Sequence, residues 1–228
     1  MATLGSKAEG SIVKLKENGS LVEFYVAKHD YESGLNGTGR VLVVRKDCYD
    51  KRQWHSSNIN AYATSAIDTW LNGTYKNLLD ADIRTAMGTT KIYYSSGNGS
   101  TIKATLERSV FLLSGTELRQ THTHMNVEGT ALSSTVFNLL KIAYLNGSAV
   151  VQWTRSPNTN YNNKAYYAFC LASNGNIANF GCASTYGSRP AFTLPSSLYI
   201  SDDGVVTTNT APTTPPGITV PAKVNGAW

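Results

Sequence analysis

The sequence predicts an α+β fold in which short helices pack on small antiparallel sheets and much of the chain is loop. Three observations carry this. Hydrophobic residues make up 41% and charged residues 15% of the 228 positions, and Gly, Asn, Ser and Thr abound, a mixture suited to turns and strands rather than to a helical bundle. Apolar residues alternate or run in short blocks bounded by turn dipeptides such as Asn18-Gly19 and Asn174-Gly175. Helical spacing occurs only in short stretches. The length suits one large domain, or a domain with a tail, and can bury a substantial core.

Residues 11–15 and 21–27 read as two strands joined by a polar turn at Glu17-Asn18-Gly19. Residues 34–39 form a loop, and the run Val41-Leu42-Val43-Val44 within 40–45 is a buried strand. At 65–79 the period changes: Ile67, Trp70, Leu71 and Leu78 fit a helix that Ser65 caps. A second short helix follows over 80–87, with acids in its first turn. Residues 110–113 are an apolar strand, and the polar stretch to Gly129 takes no assignment. Val136, Leu139, Leu140 and Ala143 mark a helix ending before Asn146-Gly147. Strands are expected at 150–154 and 165–172, with a turn at Asn174-Gly175. Residues 189–200 are extended, and Pro190 and Pro195 confine them to an edge or to irregular positions.

From Thr207 the composition shifts to Thr, Pro and Asn. The expected organisation is therefore a binding domain over 1–206, a linker over 207–217, and the cut-off start of another module over 218–228. Lys and Arg give a net charge of +5 but are scattered without a dense run, which argues against nucleic acid as a partner. No segment is long enough to span a membrane, and residues 1–10 lack the basic patch and apolar run of a secretion signal. With only Cys48, Cys170 and Cys182, one thiol stays unpaired within a monomer and no zinc spacing arises. Tyr outnumbers Phe by 13 to 6, and Tyr with Asn, Ser and Gly is the mixture of adaptable protein-binding surfaces.

Several segments carry a resemblance: Trp153-Thr154-Arg155-Ser156-Pro157, Ser188-Arg189-Pro190-Ala191-Phe192, Leu194-Pro195-Ser196-Ser197-Leu198 and Ser201-Asp202-Asp203-Gly204. Lys46-Asp47-Cys48-Tyr49, residues 52–58, Trp70-Leu71-Asn72 and residues 142–147 join them. Together these resemble a family of phage and prophage tail-associated domains from Gram-positive gut bacteria, over nearly all of 1–210. The resemblance implies a C-type-lectin-like fold, related to formylglycine-generating enzymes and to the variable proteins of diversity-generating retroelements. Residues 211–223 resemble the opening of an immunoglobulin-like or fibronectin-type repeat.

The resemblance also implies a constant framework at Trp153, Arg155, Gly175, Arg189 and Pro190, with contact residues between. Those are Asn158, Asn160, Tyr161, Asn162, Asn163, Tyr166, Tyr167, Phe169, Asn176, Phe180, Ser184 and Tyr186. Their mixture fits diversification through template adenines, and ordinary turn chemistry also produces Asn-rich loops. The implied function is attachment to a bacterial surface protein or glycan by a domain on the virion tail. Tail subunits are further partners and a homo-oligomer such as a trimer is an open possibility; the alternative is a structural decoration or tail-assembly domain.

The individual residues have plainer readings too. Trp153 lies in an apolar strand and is read as core. Arg155 and Arg189 adjoin Pro-containing turns, where a guanidinium ties loop carbonyls together. His122 and His124 are too few ligands for a metal without a symmetry axis, and Asp202-Asp203-Gly204 is a tight turn rather than a calcium loop. Cys170 and Cys182 either pair across the hairpin or stay free. Cys48 near His55 matches no nucleophile motif, so neither an enzyme, a metal nor a cofactor is expected.

Overall fold

The computed structural model describes residues 2–160 and 166–208, so the expected linker from 209 onward and the module after it lie outside the described residues. A two-residue strand, β1 (Ala2–Thr3), precedes the hairpin of β2 (Ile12–Glu17) and β3 (Ser20–Lys28). Its turn has φ of 51° at Asn18 and 77° at Gly19, the doubly positive pair that matches strand twist in a two-residue loop. After a one-turn helix, α1 (Ser33–Asn36), inside the expected loop, β4 (Arg40–Arg45) pairs with β3, and its four central residues are buried. The polar strand β5 (Asp50–Gln53) follows.

The helix expected over 65–79 is broken. α2 (Ala66–Trp70) starts at Ser65, whose hydroxyl accepts from Asp68 N at 3.1 Å, but the chain then widens over Leu71–Tyr75 and tightens over Lys76–Leu78. Asn72-Gly73-Thr74 are weak helix formers, and the Asn72 amide donates to the carbonyls of Asp68 and Val110 instead of facing solvent. α3 (Ala81–Met87) is the second expected helix. It leads into a hairpin of β6 (Thr90–Ser95) and β7 (Lys103–Arg108) that the sequence did not signal.

The strand expected at 110–113 is not one: a single bridge joins Phe111 to Ala191. The neighbouring backbone groups are taken otherwise, Leu112 N by the Tyr62 hydroxyl, Leu112 O by Arg155, and Leu113 O by Arg155 N. α4 (Ser134–Leu140) ends before Ala143, which instead opens the hairpin of β8 (Ala143–Leu145) and β9 (Ser148–Val150) around Asn146-Gly147.

The rest of the chain supplies β10 (Gln152–Pro157), β11 (Tyr167–Leu171), β12 (Ile177–Gly181), β13 (Thr185–Ser188), β14 (Ala191–Pro195), β15 (Tyr199–Ile200) and β16 (Val206–Thr207). A four-stranded antiparallel sheet has the order β14-β4-β3-β2, with the proline-ended β14 at its edge, where a missing N–H is harmless. A five-stranded sheet runs β12-β11-β10-β13-β5 and contains one parallel pair, β10 with β13. The remaining strands form a three-stranded sheet, β1-β15-β16. One buried cluster joins Phe24, Val43 and Phe192 of the first sheet, Ile67, Met87 and Val136 of the helices, and Trp153 and Cys170 of the second. The architecture is mixed α+β with small sheets, short helices and long loops.

Candidate binding face

On the five-stranded sheet Arg155 points inward, whereas Asp50, Lys51 and Arg52 of the edge strand β5 are half-buried or exposed. Arg155, fully buried on β10, donates from Nη1 and Nη2 to Glu117 Oε2 and Oε1 at 2.7 and 2.8 Å. Its remaining donors go to the carbonyls of Tyr93 and Leu112, each at 2.8 Å, and of Glu128 at 3.5 Å. Glu117 also accepts from the Tyr31 hydroxyl and from Ser114 N. Burial would lower the Arg155 guanidinium, but Glu117 against it holds its pKa well above the ordinary value.

Another buried carboxylate, Glu128, has no ion-pair partner of its own among the described residues. Its Oε2 accepts from the Ser156 hydroxyl at 2.5 Å, and its Oε1 makes no hydrogen bond among the described residues. Burial pushes its pKa up to about 7, only partly offset by Arg155 and by the hydroxyls of Ser156 and Ser95. Ser114 Oγ donates to Glu128 O, and Glu128 N donates to Thr116 Oγ1. The polar stretch that resisted assignment is therefore held from within, its two acids anchoring the loop between 109 and 132.

Arg189 does comparable work at the other end of the sheet. It donates to the carbonyls of Arg45 (2.9 Å), Leu140 (2.8 Å) and Lys46, and so ties three segments together. Pro190 is buried beside it and its carbonyl accepts from Arg45 N. Trp153 is 2% exposed, with its indole N–H bonded to Arg52 O at 3.0 Å. Gly175 takes φ of 85°, and a Cβ there would lie 3.2 Å from Lys141 O, so the turn has neither the backbone freedom nor the room for a side chain.

At the end of the sheet near Tyr166, loops converge on one residue. Asn60, wholly buried, donates from Nδ2 to Asn158 O (2.9 Å) and Tyr167 O (2.8 Å), and its Oδ1 accepts from Asn98 N. This joins residues 54–61, the β6–β7 loop, and the ends of β10 and β11. Asn58 Oδ1 accepts from Ala183 N, Thr159 N donates to His124 O, and Asn126 Nδ2 donates to Ser95 Oγ. Residues 181–184 and the tip of the 109–132 loop are thereby attached to the same face.

Of the nine exposed large hydrophobic side chains among the described residues, four sit on these segments, Ile59, Ile102, Val127 and Tyr166, and a fifth, Phe180, is on β12 next to residues 181–184. Ile102 and Val127 are 66% and 64% exposed. Phe180 meets Tyr186 at 5.0 Å between ring centroids, and Tyr166 meets Tyr167 edge-on at 4.7 Å. Between Glu128 and Asp202 the sequence has no Asp or Glu, nor has it any in 54–61, 96–103 or 118–127.

The expected contact residues divide on this geometry. Tyr166 and Phe180 are exposed, and Asn160, Tyr167, Ser184 and Tyr186 are half-buried. Asn158 and Phe169 are corrections: both are buried, Asn158 bonded through its backbone to Tyr167 and Asn60, Phe169 covered by the His122 ring at 4.9 Å. Asn176 is exposed, but at the turn of the β11–β12 hairpin, the opposite end from Tyr166, because Leu171 pairs with Ile177 and Tyr167 with Gly181. Tyr161, Asn162 and Asn163 lie outside the described residues. Asn60, Ile59, Ile102 and Val127 were missed, since isolated apolar residues in polar loops carry no periodic signal.

The described residues offer little for chemistry. All three cysteines are free, and β-register sets Cys170 opposite Ala178 rather than Cys182, so the pairing left open by the sequence does not form. Burial pushes the Cys48 thiol up to about 11, the reverse of what a nucleophile needs. His122 and His124 stand 5.7 Å apart between ring centroids, and no group of three metal-ligating side chains occurs among the described residues. An open groove of about 420 Å³ includes Asp68, Asn72, Lys76, Arg108 and Ser109 in its lining. Its polar groups serve one another: Arg108 Nε bonds Asp68, Lys76 bonds the Ser109 hydroxyl, and Asn72 spans Asp68, Ser109 and Val110. No helix of the described residues is long and apolar enough to cross a membrane.

Compared with known protein families, the chain matches the Domain of unknown function (DUF6273) over residues 38–196, more than half its length. It belongs to that family. The DUF6273 span contains Glu117, Glu128, Arg155, Arg189, Asn60 and every loop of the face, while β1 to β3, β15 and β16 lie outside it. No curated protein and no solved structure matches the chain.

Proposed function

We propose that this DUF6273 domain is a non-catalytic binding module of a phage or prophage tail, carried on a C-type-lectin-like scaffold, that attaches to a bacterial surface protein or glycan. The observation that carries the binding reading is the division of labour among side chains. Arg155, Glu117, Glu128 and Arg189 are spent inside the fold, whereas the exposed apolar and aromatic residues Ile59, Ile102 and Tyr166 lie on the segments that Asn60 joins and Val127 on the loop that the Asn126–Ser95 bond attaches to them. Exposed apolar side chains grouped at one end of a molecule mark interaction sites. Small antiparallel sheets overlaid by long loops support the lectin-like scaffold, and the motifs from Trp153 to Gly204 support the tail setting. The Asn- and Tyr-rich segment between Arg155 and Arg189 is where retroelement diversification would act. Many weak copies on one particle would attach firmly through avidity.

The experiment is attachment of the labelled chain to a panel of Gram-positive gut bacteria and, separately, to tail particles lacking it. Saturable binding to cells, weakened in at least one of Tyr166→Ala, Tyr167→Ala and Phe180→Ala with melting within a few degrees of the parent, is the expected result. Binding to tail particles but to no cells would make it a decoration or assembly domain.

A further inference from the structure

We infer that the partner of this face is a polypeptide surface, apolar at its centre and acidic at its rim. The inference rests on the reading of the loop-convergent end as the contact surface and narrows that reading from protein-or-glycan to protein. Two independent observations carry it.

The first is the kind of apolar group exposed. Ile59, Ile102 and Val127 come from three separate loops that Asn60 and the Asn126–Ser95 bond draw to one end of the molecule. Single exposed aliphatic residues are ordinary, but these share a face with Tyr166. Sugar rings stack on flat aromatic faces and hydrogen-bond to amides and carboxylates, and an isoleucine or valine offers them neither. Apolar side chains of another protein would cover such groups and exclude water around the aromatic anchors.

The second is charge. The segments of the face contain no Asp or Glu, yet Lys103 and Arg119 are exposed on them, and they also carry His55, His122 and His124. Lys103 Nζ lies 5.0 Å from the Tyr93 ring centroid and one Arg119 donor caps Leu132 O, and neither makes an ion pair with an acid among the described residues. Uncompensated positive groups around an apolar centre favour an acidic rim on the partner. They stand singly rather than in the dense run a phosphate backbone calls for.

Three defined probes test this against the immobilised full chain: a random copolymer of glutamate and tyrosine, polyglutamate, and polygalacturonate as a carboxylated glycan. The copolymer should bind at least about ten-fold tighter than either of the others. The double variant Ile102→Asp/Val127→Asp should weaken it by at least about ten-fold at unchanged melting temperature, and Lys103→Glu should remove part of its salt dependence. Equal binding by polyglutamate would reduce the effect to charge, equal binding by polygalacturonate would make the partner a glycan, and no binding at all would leave no peptide preference. Each of these overturns the inference. The contact face itself fails if the same double variant also attaches to cells as the parent does.

Discussion

At the scale of single residues, Glu128 is the most informative side chain. Arg155 is already balanced by Glu117, so an ionised Glu128 would be a second buried anion sharing one guanidinium, with Oε1 unbonded. Its carboxyl is raised from 4.5 to about 7 in the folded chain. The sign follows from linkage: the folded state binds the proton more tightly than the unfolded chain, so this contribution is fully present below about pH 4.5 and is lost as pH rises through about 7. Glu128→Gln, a neutral isostere, should therefore melt higher than the parent at pH 8, by on the order of 2–3 kcal/mol in stability, and converge with it near pH 5. Melting curves across that range check this, and a variant less stable than the parent at pH 8 would show that the ionised form is held by something else. Trp153→Ala should cost about 3–5 kcal/mol, since it removes a buried indole and leaves a cavity; denaturant unfolding measures it. Trp153, Arg155 and Arg189 were legible as framework, because a Trp in an apolar strand and an Arg beside a proline turn leave a local trace. The Glu117–Arg155 pair was not, because residues 38 apart in sequence meet only once the fold exists.

At the scale of elements, legibility followed pattern strength. The β2–β3 hairpin, β4, the Ser65 cap and α3 stood out because alternation, an apolar run, a cap and helical spacing each have a distinct local signature. β5, with the sequence Asp-Lys-Arg-Gln, and the half-exposed β7 were silent, since an edge strand needs no apolar face. The error at 110–113 has the opposite cause: strongly apolar residues buried by tertiary contacts, with backbone groups satisfied by Tyr62 and Arg155 rather than by a ladder. Loop positions depend on Asn60 in the same long-range way. Asn60→Ala leaves the carbonyls of Asn158 and Tyr167 without that donor and should cost about 1–3 kcal/mol. Amide exchange should quicken first at Asn98, Asn158 and Tyr167, whereas uniform loss of protection would mean that Asn60 supports the whole core rather than these loops.

At the scale of the whole molecule, stability and recognition are assigned to different sets of residues. The interior uses Trp153, the Arg155–Glu117 pair and Arg189, and the loop-convergent end exposes Ile59, Ile102, Val127, Tyr166 and Phe180. Exposed substitutions are usually within about ±0.5 kcal/mol of neutral in stability, while interface energy concentrates in a few aromatic anchors, so the two properties should vary separately. The most direct measurement pairs melting temperature with attachment to bacterial cells for Tyr166→Ala, Tyr167→Ala and Phe180→Ala. The expected result is melting within a few degrees of the parent for all three, with at least one losing about 1–2 kcal/mol of binding. Three folded variants that attach as the parent does would contradict the account and move the contact surface elsewhere.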